Sequence, residues 1–129
     1  YPLGLNGHIQ DVPATVRMDG RSIFRFGVER GARLVEDLLH DAHLTPDQLD
    51  WVIPHQANLR IIRAMQDRCP VPEERWIVNI DRYGNTASAS VMLALAELGA
   101  SGRLQTGHTV ALAAFGAGLT WSGLLARVG

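Results

Sequence analysis

The run Trp51-Val52-Ile53-Pro54-His55-Gln56-Ala57-Asn58, residues 51–58, decides the fold class of this chain. It opens with three apolar residues that Pro54 stops, which is the pattern of a short buried strand. Apolar residues then recur at helical spacing over residues 59–69, with charged residues between them, until Pro70 ends the pattern. A buried strand that leads into an amphipathic helix predicts an α/β unit.

Toward the N-terminus, the pattern predicts a longer amphipathic helix from Ser22 to Ala42, with charged side chains opposite an apolar stripe. The stripe consists of Phe24, Val28, Ala32, Val35 and Leu39. Thr45-Pro46-Asp47 then predicts a capped helical turn. Residues 1–18 hold glycine and proline with little periodicity, so we expect them to form a loop or linker.

Toward the C-terminus, the apolar runs 76–80 and 109–115 predict two further strands. Residues 81–85 between these runs are expected to be a loop. Thr86 is expected to cap a helix that ends at Leu98.

Gly116-Ala117-Gly118 predicts a tight turn, and residues 119–128 predict a fourth strand. The order of elements predicts an α/β fold with a mostly parallel sheet, covered by helices and ending in an antiparallel hairpin. Residues 19–129 should form a single domain. The first helix has no strand before it and the chain opens without Met, so we expect a piece of a larger α/β unit.

Composition narrows the class of protein further. The chain has 129 residues, 47% hydrophobic and 19% charged, which suits one folded domain. Its net charge of -1 gives no general attraction to nucleic acid or to an anionic membrane, and no apolar run is long enough for a membrane span. Cys69 is the only cysteine, so no internal disulfide can form and a cytoplasmic location is expected.

Three loops that follow predicted strands hold candidate functional residues, because sites in α/β sheets collect where strands end. They contain His55, Asn85 and the turn Gly116–Gly118, whose backbone N–H groups could face a developing oxyanion. Taken singly, each has an ordinary structural interpretation: a buried histidine, a capped helix start or a hairpin turn. His40 and His43 lack a third ligand at suitable spacing, so no metal site is predicted.

Taken together, three strings of sequence resemble the C-terminal half of β-ketoacyl-acyl-carrier-protein synthase III, in the thiolase-like superfamily. They are Val52-Ile53-Pro54-His55-Gln56-Ala57-Asn58, Tyr83-Gly84-Asn85-Thr86-Ala87-Ser88-Ala89-Ser90 and Ala114-Phe115-Gly116-Ala117-Gly118-Leu119-Thr120-Trp121. The resemblance runs from about Met18 to the end of the chain. It implies an acyltransferase that condenses an acyl-coenzyme A primer with malonyl-carrier protein, with loss of CO₂, at the start of fatty-acid synthesis.

The resemblance also assigns roles to residues. His55 and Asn85 would donate hydrogen bonds to the enolate formed on decarboxylation, and the Gly116-Ala117-Gly118 turn would hold the oxyanion of the condensation step. The nucleophilic cysteine of the family lies in its N-terminal half and has no counterpart here. Cys69 lies near a predicted helix end, on the far side of that helix from His55, and is expected to be structural.

Partners follow from the same resemblance. Arg60, Arg63 and Arg25 would receive the acidic acyl carrier protein, and Asn58 and Phe24 would line the coenzyme A and acyl channel. The complete enzyme should be a homodimer that needs no cofactor, and the chain alone should be inactive without an N-terminal half.

Two alternatives remain open at this point. One is a synthase III-like acyltransferase of secondary metabolism that forms an ester or amide without decarboxylation. The other is a non-catalytic fragment that binds a carrier protein or stabilises a dimer. The presence of both His55 and Asn85 argues against the first, because the asparagine is needed mainly for the enolate.

Overall fold

A computed structural model describes residues 18–129. The predicted loop or linker at residues 1–18 therefore lies, except for Met18, outside the described residues. The order of elements is α1, β1, α2, α3, α4, β2 and β3, with 3₁₀ turns at 46–48, 73–75 and 87–89. Their bounds are α1 Gly20–Asp41, β1 Trp51–Pro54, α2 Leu59–Gln66, α3 Ile80–Tyr83, α4 Ser90–Ala100, β2 Thr109–Gly116 and β3 Thr120–Arg127.

The sheet of the described residues has the strand order β1-β2-β3. β1 runs parallel to β2, with Pro54 opposite Ala113 at the carboxyl end of the pairing. β2 and β3 form an antiparallel hairpin that ends with Gly116 opposite Thr120. The predicted α/β class and the closing hairpin are confirmed, and the sheet is mixed.

Helices cover both faces of this sheet. Successive residues of a strand point to opposite faces, so neighbouring residues of β1 pack against different helices. Val52 lies in the apolar cluster formed with α1 and α2, whereas the next residue, Ile53, lies in the cluster formed with α4. Both side chains are fully buried. Among residues 18–129, no helix combines the length and the apolar character that crossing a bilayer requires.

The predicted helix at 22–42 is present as α1, which begins after Asp19. The Asp19 carboxylate accepts a hydrogen bond from the Arg21 backbone N–H at 3.1 Å, as an N-cap residue does. The buried face of α1 holds Val28, Val35 and Leu39, but Phe24 is 40% exposed and does not belong to the core as the predicted stripe required. Phe24 lies in the first turns of α1, ahead of the buried residues.

The predicted strand at 76–80 was wrong. Trp76 makes only an isolated parallel bridge to Val52, and the Ile77 backbone N–H donates to the Val52 carbonyl at 2.9 Å. The pairing with β1 does not continue beyond this bridge, because the Gln56 side chain bonds the backbone groups that follow. Its amide bonds the Ile77 carbonyl and the Asn79 N–H, so this backbone is satisfied without a ladder.

Three other boundaries also differ from the prediction. The expected loop at 81–85 begins instead with the short helix α3, and Thr86 makes no capping hydrogen bond with its side chain. The Asn85 side chain accepts the Ala87 N–H at 2.9 Å, and α4 begins only at Ser90. α2 ends at Gln66, before Cys69, because the last backbone groups bond in tighter turns there.

Candidate active site

His55 follows the last residue of β1, at the carboxyl end of the parallel strand pair. Its backbone N–H donates to the Ala113 carbonyl at 2.7 Å, which extends the ladder by one hydrogen bond. The imidazole is half-buried and lies edge-on to the Phe115 ring, with centroids 5.3 Å apart and an interplanar angle of 77°. The sheet and an aromatic neighbour therefore hold this ring in place.

Burial also sets the charge of His55. Removal of the ring from water lowers the pKa of His55 below its ordinary value of 6.5, because the charged form loses more solvation than the neutral form. The imidazole is therefore mainly neutral at pH 7. A neutral imidazole carries one N–H donor and one acceptor nitrogen.

The start of α4 contacts His55 through Ser90, which is 1% exposed. The Ser90 Oγ lies 2.5 Å from the His55 Nδ1 and also accepts the Gln56 backbone N–H at 3.2 Å. With Nδ1 occupied by Ser90, Nε2 is the ring nitrogen left for another group. Ser90 ends the second of the three quoted strings, yet sequence reasoning did not single it out.

Gln56 fixes the loop that carries His55. Its side chain is 1% exposed and bonds three backbone groups: it donates to the Pro54 carbonyl at 2.8 Å and the Ile77 carbonyl at 3.1 Å, and it accepts the Asn79 N–H at 3.0 Å. An amide has both donors and an acceptor, which this set of partners requires. A polar residue two positions after a buried strand was the available sequence signal.

Asn85 lies beside the same loop. Its Nδ2 faces the Ala57 carbonyl at 3.5 Å, at the limit of a hydrogen bond, and the residue is exposed. Its Oδ1 accepts the Ala87 N–H at 2.9 Å. The structure thus brings the predicted pair, His55 and Asn85, to adjacent loops at one edge of the sheet.

The backbone around Asn85 is strained. Gly84 has φ of 68°, which glycine adopts at low cost, but Ala87 has φ of 50°. A residue with a Cβ costs on the order of 1 kcal/mol in the left-handed region. Strain of this kind persists where surrounding structure imposes it and is common at functional sites.

The predicted oxyanion turn closes the β2–β3 hairpin at the same end of the sheet as His55. Gly116, Ala117 and Gly118 are exposed, and Gly118 has φ of 78°. Phe115 precedes the turn and contacts the His55 ring, so it connects the two features. Phe115 was not singled out from the sequence, although it lies in a quoted string.

The predicted binding residues lie on the helices next to this edge. Arg60 and Arg63 are exposed on α2, and Arg25 is exposed on the neighbouring α1. Asn58 is the N-cap of α2, where its side chain accepts the Arg60 N–H at 2.9 Å. This capping contact gives Asn58 a structural role, and its channel role stays a prediction.

Cys69 is buried at 6% exposure and belongs to the cluster between the sheet, α1 and α2. Burial raises the pKa of its thiol to about 11, so almost no thiolate exists at neutral pH. The thiolate is the nucleophilic form, and the expected structural role of Cys69 agrees with this. In residues 18–129, no three metal-binding side chains come together.

Comparison with known proteins gives the family. The model for the 3-oxoacyl-(acyl-carrier-protein) synthase III C terminal matches residues 39–128. A β-ketoacyl-acyl-carrier-protein synthase III from Granulibacter bethesdensis is 43% identical over 125 residues, which are 97% of this chain and 38% of that protein. The chain thus spans less than two-fifths of the length of this curated relative.

Solved structures agree in fold. The synthase III of Thermus thermophilus superposes with a TM-score of 0.84 at 45% identity, over 88% of this chain and 35% of that one. The priming β-ketosynthase of the R1128 polyketide biosynthetic pathway has a TM-score of 0.81 at 40% identity, over 87% and 34%. Because the family model covers most of its residues, the chain belongs to the family of 3-oxoacyl-acyl-carrier-protein synthase III C-terminal domains.

Proposed function

We propose that this chain is the part of a β-ketoacyl-acyl-carrier-protein synthase III that supplies the decarboxylation pair, His55 and Asn85. The complete enzyme would condense an acyl-coenzyme A primer with malonyl-acyl carrier protein and so begin fatty-acid synthesis. The nucleophilic cysteine would come from an N-terminal half, and no cofactor would be needed. A complete enzyme means here a full-length synthase III whose C-terminal part is this chain.

The observation that carries the proposal is the meeting of two neutral donors at one sheet edge. His55 has a lowered pKa and its Nδ1 faces Ser90, which leaves Nε2 for substrate. The Asn85 amide lies beside Ala57, two residues along the loop from His55. Neither donor carries a charge that would have to be neutralised when substrate binds.

The chemistry suits such donors. When malonyl thioester loses CO₂, the electron pair of the broken C–C bond moves into an enolate, and negative charge collects on the thioester oxygen. Hydrogen bonds from neutral donors to that oxygen lower the barrier, typically by about 10²–10³-fold in rate for each donor. The carbanion then attacks the acyl-thioester carbonyl, and the cysteine thiolate leaves and takes up a proton.

The second oxyanion would form at the acyl carbonyl during that attack. We assign it to backbone N–H groups of the Gly116–Gly118 turn, with Ala117 as the donor, together with the N–H of the absent cysteine. Support comes from the position of the turn at the carboxyl end of β2 and from Phe115, which joins it to His55. Backbone donors of this kind need no reorganisation during the reaction.

Partner binding would use the same edge. Arg25, Arg60 and Arg63 are exposed on adjacent helices and could receive acidic side chains of acyl carrier protein. Phe24, at 40% exposure, and Asn58 would lie along the coenzyme A and acyl channel. The complete enzyme would be a cytoplasmic homodimer.

The test separates the two half-reactions in a complete enzyme. His55→Ala and Asn85→Ala should each lower decarboxylation of malonyl-acyl carrier protein by about 10²–10³-fold. Acyl transfer to the nucleophilic cysteine, followed as a mass increase of the protein, should survive. His40→Ala is the matched control, because His40 is exposed at the end of α1. Normal decarboxylation by the His55 and Asn85 variants would refute the proposal.

A second candidate is the priming of polyketide synthesis, favoured by the 40% identity with the R1128 priming β-ketosynthase. It would use the same two donors and the same decarboxylation, with a different carrier protein and primer. Competition between the fatty-acid and polyketide carrier proteins for the complete enzyme distinguishes the two. A preference for the polyketide carrier would overturn the fatty-acid assignment and leave the chemistry unchanged.

A further inference from the structure

We propose that Ser90 is a positioning residue that fixes the neutral tautomer of His55 with its proton on Nε2. The inference rests on the proposed function only for its catalytic consequence. The tautomer itself follows from the hydrogen bonds around Ser90 and can be measured separately.

A serine hydroxyl has one hydrogen to donate and two lone pairs to accept. The Gln56 backbone N–H, at 3.2 Å, can only donate and therefore uses one lone pair. The other hydrogen-bond partner of this oxygen among the described residues is His55 Nδ1, at 2.5 Å.

Burial then decides the direction of the short bond. Ser90 is 1% exposed, so water cannot accept its hydroxyl hydrogen. If Nδ1 carried the proton and donated to Ser90, the buried hydroxyl hydrogen would have no acceptor among the described groups. Because a buried donor without a partner is costly, the Ser90 hydroxyl donates to Nδ1. The ring proton of neutral His55 must therefore be on Nε2.

The ordinary structural reading of a serine at this place would be a helix cap. Ser90 itself already has helical φ and ψ of -61° and -43°, and the N-cap position belongs to Ala89. Its side chain makes no capping hydrogen bond for α4. The hydroxyl is thus directed to the loop after β1, whose residues are 34 and 35 positions away in sequence.

The Gln56 backbone N–H, which donates to the Ser90 hydroxyl, is itself held in place. The Gln56 side chain bonds the Pro54 and Ile77 carbonyls and the Asn79 N–H, and its side chain is fully buried. Its N–H therefore has little freedom to release Ser90. A fixed donor at this place offers the buried hydroxyl hydrogen no acceptor, so His55 Nδ1 is the acceptor left for it among the described residues.

The consequence for the reaction is pre-organisation. A histidine that must donate one hydrogen bond to an enolate oxygen needs its proton on the nitrogen that faces substrate. The Ser90 contact selects that tautomer before substrate binds, and an incorrect tautomer at a catalytic histidine is known to be costly. No proton has to move within the ring during decarboxylation.

The first experiment measures the tautomer in the unchanged complete enzyme. The enzyme is labelled with ¹⁵N-histidine, and the His55 signals are assigned by their loss in His55→Gln. At neutral pH, Nδ1 should appear as an unprotonated nitrogen and Nε2 as a protonated one. A protonated Nδ1 would overturn the proposal, and this result does not depend on the folding of any Ser90 variant.

The second experiment compares variants. Ser90→Ala should give a mixture of His55 tautomers and lower the kcat of decarboxylation by about tenfold with little change in KM, as expected for the loss of one hydrogen bond. Ser90→Thr keeps the hydroxyl and should keep the Nε2-protonated tautomer. Ser88→Ala is the matched control, because Ser88 is exposed on the same loop, and it should change neither quantity.

The outcomes separate this inference from the proposed function. An unaltered His55 tautomer in Ser90→Ala would show that Ser90 is only structural, even if kcat falls. Undiminished decarboxylation by His55→Ala would instead remove the proposed function, while the measured tautomer would still stand.

Discussion

Replacement of Gln56 by Ala should destabilise the domain strongly, because one side chain satisfies three buried backbone groups. The bonds reach the Pro54 carbonyl at 2.8 Å, the Ile77 carbonyl at 3.1 Å and the Asn79 N–H at 3.0 Å. All four residues are buried. Gln56→Ala therefore removes the partner of three groups that have little access to water.

The magnitude follows from the hydrogen bonds. Each bond contributes about 0.5–1.5 kcal/mol net, and a buried group left unpaired costs about 1–3 kcal/mol. Water that enters the space vacated by the side chain recovers part of this cost. We expect the free energy of unfolding to fall by about 3–5 kcal/mol, with a drop in Tm of roughly 5–10 °C.

The assay is thermal unfolding of the complete enzyme, with the Gln105→Ala variant as control. Gln105 is exposed, so its replacement should change stability by no more than about 0.5 kcal/mol. Equal effects of the two substitutions would refute the reasoning that the Gln56 side chain is needed to satisfy these backbone groups.

Gln56→Glu tests the donors without a change of shape. The carboxyl would face two carbonyl oxygens where the amide donates, which favours its protonated form and raises its pKa in the folded state. Since the folded pKa then exceeds the unfolded value of about 4.3, stability relative to the native protein falls as pH rises above that value. A pH-independent effect would contradict this account.

Three further predictions concern the site and its surroundings. Gly27→Ala would place a Cβ 3.1 Å from the Phe115 ring, so it should lower decarboxylation by displacing Phe115 while changing stability by no more than about 1 kcal/mol. Gly99→Ala, which meets no atom within 4 Å, is its control and should leave activity unchanged. Cys69 should resist alkylation at pH 8, where about 0.1% is thiolate, and react after unfolding, as read by mass spectrometry. Arg60→Glu should weaken acyl carrier protein binding in a salt-sensitive way and leave coenzyme A binding almost unchanged in titrations.

For each of these three predictions, one outcome would contradict the reasoning. Full activity in Gly27→Ala would mean that Phe115 does not position His55. Rapid alkylation of Cys69 in the folded protein would mean that its thiol is more accessible than its burial implies. Equal losses of carrier protein and coenzyme A binding in Arg60→Glu would count against a docking surface.

Much of the fold was predictable, because strands with apolar side chains and helices with an apolar stripe have distinct periods. β1, β2 and β3 lie where their apolar runs predict, and α1 begins and ends within two residues of its predicted limits. The segment 76–80 failed because it pairs with β1 only at the bridge from Trp76 to Val52, although its apolar residues are largely buried. Periodicity reports burial, and it does not reveal that a glutamine side chain supplies the hydrogen bonds.

The candidate site also contains residues that the sequence indicated and residues that it did not. His55 and Asn85 were predictable because unusual polar residues follow predicted strands and match the motifs of a family. Ser90 and Gln56 were not, because their roles depend on contacts between separate segments. Ser90 bonds residues 34 and 35 positions away, and the Gln56 side chain bonds residues 21 and 23 positions away. Phe24 was misplaced in the core because a stripe continues through the sequence even where the helix extends beyond its neighbours.

The hydrogen bond from the His55 amide to the Ala113 carbonyl has a consequence for the timescales of motion. The His55 amide closes the β1–β2 ladder, so it exchanges with deuterated solvent only when the end of this pairing opens. Asn85 lies in an exposed turn with few contacts, and its amide can exchange through a small local opening. We therefore expect hydrogen exchange to be slower at the His55 amide than at the Asn85 amide, and the histidine to hold its position more firmly than the asparagine.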